Sequence, residues 1–562
     1  MRTIAVGIAC ALAAHSALAQ TPPPGPAQQA DLIVTAARIY TVDADRPMVR
    51  ALAVRGGLVA FAGSVREAMV LRGPRTRMLD LGDATVIPGI VDAHLHLQGL
   101  GKALRTVDLA GTRSYDAVIA KVAARARAAT PGEWIEGRGW DQNLWPDTRF
   151  PTEEPLSRAV PDHAVVLERV DGHALLVNAA ALRAAGITAA TPDPAGGRIE
   201  RNPDGSPTGV LVDNAMALVE RVVPPPSHDE ERARLLAAVA ELNRWGVTGA
   251  HDAGESREGI GVAEELAHAG RLALRDYEMV SGDSADVAWA FGRGPQVALE
   301  GGRLWIRAIK LYADGAMGSR GAALLEDYSD DPGNRGLLVT DTNEIRRIAV
   351  AALRHGFQVC THAIGDRANR LVLDAYEAAL DTVPTADHRF RIEHAQTLSP
   401  PDIPRFAALG VIPSMQTSHQ TSDMYWVANR LGPTRVLGAY AWRSLLATGV
   451  VVPNGTDAPV EAVNPMIRFH SAVTRQDADG WPAGGWYPAQ RMTREEALRS
   501  LTIWPAYAAF MEHVAGSLAP GKYADFTVLD QDIMTVAPER ILDTHVLMTV
   551  LGGETVFERS AR

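Results

Sequence analysis

His94 and His96 stand two residues apart at the end of the run Val86-Ile87-Pro88-Gly89-Ile90-Val91-Asp92-Ala93-His94-Leu95-His96. On an extended strand, residues i and i+2 leave the same face, so both imidazoles can grip one ion. Neutral imidazole suits Zn²⁺, and carboxylates complete a hard-to-borderline donor set. A His-x-His pair has a second reading, two hydrogen-bonded histidines that hold nothing. Four more apolar runs weigh against it, ending in Lys310-Leu311-Tyr312-Ala313-Asp314, Thr361-His362-Ala363, Glu393-His394-Ala395 and Gly455-Thr456-Asp457. Each offers a side chain able to bind metal, and a metal site of this kind activates water for hydrolysis.

Such groups need a scaffold on which strand ends converge. Short apolar runs recur at Thr85–Val91, Gly246–His251, Leu272–Met279, Trp305–Tyr312, Gln358–His362, Arg389–His394, Gly410–Ser414 and Gly449–Asn454. Helical patterns such as Glu231–Trp245, Asn343–His355 and Asn369–Leu380 lie between several of them. Eight strands alternating with helices predict an α/β fold, a (β/α)8 TIM-like barrel whose functional groups sit at the C-terminal strand ends. Leu272–Met279 is the least regular run, because Arg275 and Asp276 interrupt it.

Residues Leu97–Asn243 exceed what a strand-to-helix connection needs. They are read as an insertion over the barrel mouth, at about 98–230, with a strand of its own at Val165–Arg169 and a break at Pro224-Pro225-Pro226. Short alternating strands appear at both ends of the chain: Asp31–Arg38, Ala51–Val54 and Leu58–Ala62, then Phe526–Leu529, Val546–Leu551 and Thr555–Phe557. They predict a small β-sandwich domain built from residues 30–84 and 511–562, leaving 85–510 to the barrel.

The N-terminus carries a processing signal. Met1-Arg2 is followed by the apolar run Ile4–Ala14 and by Ala17-Leu18-Ala19, an A-x-A site. Residues 1–19 therefore read as a signal peptide cleaved after Ala19, and the run is too short to anchor the chain in a membrane. The context of Cys10 lacks the aliphatic residue of a lipoprotein site. Residues 20–29 form a Pro-rich leader, and the mature chain is expected in a periplasm or outside the cell. Of the two cysteines in the 562 residues, cleavage would remove Cys10 and leave Cys360 alone, so no disulfide could form within the mature chain. A net charge of −11 with no Lys/Arg-rich run argues against a nucleic-acid partner. With no second apolar stretch of spanning length, the expected partner is a small-molecule substrate.

The motifs are also similar to those of a known family. Val86 through His96 resembles the entry motif of the amidohydrolase superfamily. Ile309-Lys310-Leu311-Tyr312-Ala313-Asp314-Gly315-Ala316, Thr361-His362-Ala363-Ile364-Gly365-Asp366 and Arg391-Ile392-Glu393-His394-Ala395-Gln396 resemble its amidohydrolase-3, or YtcJ-like, branch. Gly455-Thr456-Asp457-Ala458-Pro459-Val460 and the late stretch Gly516–Phe526 agree. The resemblance implies two divalent metal ions, zinc being the expected element. His94, His96 and Asp457 would hold one, and His362 and His394 the other. It also implies that Lys310 reacts with CO₂ to form a carbamate bridging both. A snorkelling surface lysine, and an unmodified Lys310 beside a single ion, are the alternatives. Asp457 would act as the catalytic acid–base, taking the proton of the attacking water and passing it to a leaving nitrogen. The implied reaction is cleavage of an amide, N-substituted formamide or N-acyl bond. Hydrolysis of a cyclic imide, lactone or other ester is the alternative chemistry, and a non-catalytic relative retaining the metal site the third. A homodimer is the oligomer the family suggests.

Around this set, His173 in the insertion is read as a group that orients a substrate carbonyl, or else as a structural histidine. Arg320, on the Gly-rich loop Gly318-Ser319-Arg320-Gly321, could hold a substrate carboxylate or simply face solvent. Trp140, Trp145 and Trp426 either line a pocket or belong to the core. His251, Asp252, Asp366 and Glu393 are read as residues that orient the ligands, and Cys360 as a buried small hydrophobe.

Overall fold

The computed structural model describes residues 29–560. The expected signal peptide, Cys10 and nearly all of the Pro-rich leader lie outside the described residues. The chain folds around a parallel barrel whose strands, in chain order, are β1 (Ile90–Leu95), β2 (Val247–Glu255), β3 (Arg275–Ser281), β4 (Leu304–Tyr312), β5 (Gln358–Ala363), β6 (Arg391–His394) and β7 (Ile412–Ser414). Each pairs in parallel with the next around the sheet. Seven of the eight expected runs are therefore strands of one sheet, and the eighth is different.

Residues 449–454 do not form a regular strand. Pro453 has no backbone N–H to give a ladder, and this segment closes the barrel through single contacts instead. Met415 N–H donates to Pro453 O at 2.9 Å, Gly455 N–H to Met415 O at 2.9 Å, and Asp457 N–H to His94 O at 2.7 Å. Gly455 has to be glycine here, since a Cβ would sit 2.6 Å from the His94 nitrogen. Asp92 adds a side-chain tie from below, accepting from Thr456 N–H at 2.8 Å and from its hydroxyl at 2.7 Å.

Helices cover the strands for ordinary reasons. His228–Arg244 starts at Ser227, whose side chain accepts from Glu230 N–H, and carries Asp229, Glu230 and Glu231 in its positive first turn. Leu235, Ala238, Val239 and Leu242 recur at helical spacing and are buried against the barrel. Thr342–His355 ends at Gly356 in the left-handed region, φ +77°.

The two ends of the chain meet in one eight-stranded sheet. The run expected to enter the barrel directly is split at Gly89. Thr85–Pro88 belongs to the terminal sheet, antiparallel to Phe526–Leu529, and only Ile90–Leu95 enters the barrel. The sheet curls on itself, with Val59 N–H on Lys522 O and Ala524 N–H on Gly57 O, around a core of Val34, Leu52, Val86, Phe526, Val528 and Val550. The insertion forms a separate six-stranded sheet between β1 and β2, its strands including Ile135–Trp140, Val165–Arg169 and Pro207–Asp213.

Candidate metal centre

The strand ends bring His94, His96, Lys310, His362, His394 and Asp457 together at one cavity of about 710 Å³, whose wall includes every one of them except His94. His94 sits directly behind that wall and is fully buried. Its Nε2 lies 3.4 Å from Asp457 Oδ1, and His96 Nε2 lies 3.2 Å from the same oxygen. One ligand atom from each of His94, His394 and Asp457 falls within 4.8 Å of the others. The His362 and His394 rings are 4.6 Å apart, and Lys310 Nζ is 3.5 Å from His94 Nε2. This is a constellation drawn from β1, β4, β5, β6 and the irregular eighth segment.

The far nitrogens of the rings are already committed. His94 Nδ1 is 2.6 Å from Glu393 Oε2, so it donates there and turns an unprotonated Nε2 towards the cavity. His394 Nδ1 is 2.8 Å from Gln416 Oε1 and is fixed in the same sense. Glu393 is held in turn by Arg391, with Nε 2.7 Å from Oε1 and neither side chain exposed. Burial opposes the Glu393 charge, but the Arg391 guanidinium and His94 outweigh it and keep this carboxyl far below the usual range. Removing the Arg391 charge would strand a buried carboxylate, which is why His94 depends on it.

These residues fit a divalent ion. Burial, followed by the Lys310 charge, lowers His94 to about 4, and burial lowers His362 and His394 well below the ordinary value, so all three are neutral donors. Among the described residues His362 Nε2 is buried with no hydrogen-bond partner, the nearest carboxylate being Asp314, its Oδ1 3.5 Å away. Burial works against the Asp457 carboxylate, but hydrogen bonds from His419 and His96 hold it well below the usual range. Lys310 is fully buried, and among the described residues no carboxylate pairs with it; the Tyr312 ring, 4.3 Å from Nζ, is its neighbour.

A pH effect follows for the metal-free protein. An unfolded histidine titrates near 6.5, whereas folded His94 stays neutral down to about 4. In that window the unfolded chain binds more protons, so stability is complete above it and falls as the pH drops through it. The His94 share is read as the difference in urea midpoint between metal-free wild type and His94→Asn, which should fall as the pH drops from about 6.5 to about 4; a difference that does not change with pH would mean that His94 is charged in the fold.

His173 reaches the centre from the insertion. Its ring lies 5.0 Å from that of His362, and Asp213 Oδ1 holds its Nδ1 at 2.7 Å. Arg320 is placed elsewhere. Its guanidinium is paired with Asp330 at 3.0 Å, and it lines neither this cavity nor its neighbour. The acid that Arg320 binds here is Asp330, supplied by the protein itself. Trp140 and Trp145 pack in the core of the insertion, whereas Trp426 lines a second cavity of about 370 Å³ that shares His173, His362, His394 and Asp457 with the first. Asp366 accepts from Leu325 N–H and orients no ligand. His251 bonds Arg391 at 2.9 Å and so supports Glu393 one step further back. Burial pushes the Cys360 thiol up, consistent with an unreactive core residue.

His419 is a member of the site that the sequence reading missed. It lies beyond β7 on the helix Thr417–Asp423, with Nε2 3.3 Å from Asp457 Oδ2 and Nδ1 3.1 Å from Glu461 Oε1. Burial opposes its charge, but the two carboxylates raise it to about 10. The one available signal was a histidine five residues past an apolar run, in Gln416-Thr417-Ser418-His419.

Comparison with known proteins identifies the family and the fold. The model of the amidohydrolase family matches residues 77–557. YtcJ of Bacillus subtilis is 34% identical over 93% of this chain and 98% of its own length. The N-substituted formamide deformylase of Arthrobacter pascens is 29% identical, over 95% and 99%. Among solved structures, a metal-dependent hydrolase from Pyrococcus horikoshii superposes with a TM-score of 0.73 at 28% identity, covering 90% of this chain and 99% of that one. The protein is thus a metal-dependent hydrolase with a TIM-like barrel and an added β domain, and the chain belongs to the amidohydrolase family.

Proposed function

We propose that the protein cleaves a carbon–nitrogen bond of a small molecule, an amide, N-substituted formamide or N-acyl compound. The observation that carries this reading is the convergence of four histidines, one carboxylate and one buried lysine on a single cavity. The likeness to a formamide deformylase along nearly the whole chain supports the choice of bond. His94, His96 and Asp457 would hold one divalent ion and His362 and His394 a second, with zinc the best match to neutral imidazole. A carbamate on Lys310, formed from its amine and CO₂ with release of a proton, would replace an unpaired ammonium by an anion between them. Ions bound here supply Lewis acidity to a carbonyl and to water.

The chain's own groups account for the remaining chemistry. Asp457 faces the cavity, where it can take the proton of the attacking water and return it to the leaving nitrogen. His419 and Glu461 orient its second oxygen. His173, fixed by Asp213, is placed to donate to a carbonyl oxygen as charge develops there. The substrate is small because the cavity is bounded by the insertion. A cleavable leader would place the enzyme outside the cytoplasm, where a homodimer is the expected form.

The test is a chelated enzyme restored with Zn²⁺ or Mn²⁺ and offered formamides, N-acyl amines, cyclic imides, lactones and phosphoesters. Metal-dependent release of amine supports the proposal. Restored activity confined to esters or imides would move it to the alternative bond, and metal uptake without hydrolysis of any class would sink it.

A further inference from the structure

Strands β2 and β3 carry a second set of donors, turned away from the histidine centre. Asp252 lies opposite Glu278 and Ala250 opposite Asp276, so three carboxylates share one side of the two strands. The alternate residues, His251 and Tyr277, point to the barrel interior, where they bond Arg391 and Gln358. The carboxylates therefore face the surrounding helix layer, among apolar residues such as Leu274 and Ile260. Asp252, Asp276 and Glu278 are 3%, 0% and 1% exposed.

Burial this deep normally requires a partner. Among the described residues none of the three is paired with a cationic side chain; Asp252 has Leu97 N–H on its Oδ1. Asp276 and Glu278 have only each other: among the described residues no N–H or hydroxyl donates to either oxygen of Asp276 or to Glu278 Oε2. The neighbouring Arg275 is taken by Asp525, at 2.5 and 2.8 Å. Yet one oxygen from each of the three carboxylates lies within 4.8 Å of the others, a spread that suits oxygens each roughly 2.3–2.6 Å from a common ion. The donors are all oxygen, with no imidazole or thiolate, which selects a hard cation over zinc. Asp252 and Glu255 also line the larger cavity, and this gives an ion its way in.

We propose that Asp252, Asp276 and Glu278 bind a hard divalent cation of the calcium type, at a site separate from the histidine centre. Its role is positional. Asp252 Oδ1 accepts from Leu97 N–H at 2.9 Å, directly after His96, so the ion ties β2 and β3 to the end of the strand that carries the histidine pair. Without a cation the cluster takes up protons, since burial raises Asp276 to about 7 and lifts Asp252 and Glu278 well above the usual range.

The experiment uses full-length protein, stripped with chelator and equilibrated against CaCl₂ alone at about 1 mM, within the range of weak protein sites. Elemental analysis should find one equivalent of calcium in the wild type and in His94→Asn/His394→Asn, and none in Asp276→Asn/Glu278→Gln. Calcium should also raise the wild-type Tm by on the order of 2 °C and leave the carboxamide variant unmoved. A wild type that retains no calcium and shows no Tm shift overturns the proposal, as does calcium that survives in the Asp276→Asn/Glu278→Gln variant. Should that variant not fold, calcium content and Tm of the wild type and the histidine variant decide the matter unaided.

Discussion

Asp457→Asn should lose roughly 10²–10⁴-fold in kcat while keeping part of its metal. The carboxylate touches both histidines of the β1 pair and also a hydrogen-bonded histidine behind it. Its Oδ1 is 3.2 Å from His96 and 3.4 Å from His94, and Oδ2 is 3.3 Å from His419. An asparagine of the same shape can neither accept a proton from water nor carry one to nitrogen. His94, His96, His362 and His394 remain as donors, so metal is weakened but not abolished. Steady-state rates with elemental analysis on the same preparation check both halves. Turnover within a few-fold of wild type would remove Asp457 from the proton path.

Lys310→Met should have opposite effects on activity and on stability. Activity should fall at least 10²-fold and the second equivalent of metal should be lost, because methionine cannot become a carbamate. The metal-free chain should nevertheless gain on the order of 1–3 kcal/mol, since the replaced amine is fully buried and, among the described residues, no carboxylate pairs with it. The Tyr312 ring at 4.3 Å offsets only part of that burial cost. Urea unfolding in CO₂-free buffer measures the gain. A ¹³C carbamate signal, present in wild type grown with labelled bicarbonate and missing in the variant, ties the activity loss to the modification. A variant as active as wild type would leave Lys310 without a chemical role.

The features legible in the sequence were those with a period. The apolar runs Thr85–Val91 and Gln358–His362 announced strands, and the polar residues at or just beyond their ends announced the site. His94, His96, His362 and His394 could be placed because they lie in, or on the extended continuation of, runs read as strands, and strand geometry fixes where they point. His419 could not, because its position depends on a turn and a short helix after β7. Arg320 had the right residue type on the right loop, but its orientation was decided by Asp330, a loop partner with no periodic relation to it. The irregularity of Leu272–Met279 was visible but its meaning was not. Asp276 and Glu278 interrupt an apolar strand because they meet Asp252 from the neighbouring one, a contact that only the parallel register of β2 and β3 creates. Residues 449–454 look like a strand by composition, and Pro453 prevents the ladder that would have made them one.

The antiparallel pairing of Thr85–Pro88 with Phe526–Leu529 bears on how the chain is assembled. Synthesis delivers the His94-x-His96 strand early, yet the segment it leans on leaves the ribosome among the last. Until then β1 has a free neighbour on its N-terminal side, and a nascent chain can hold its first two metal donors only loosely. Release between residues 461 and 526 would therefore leave a chain with every one of the centre's residues but no final clasp to hold the first strand in register.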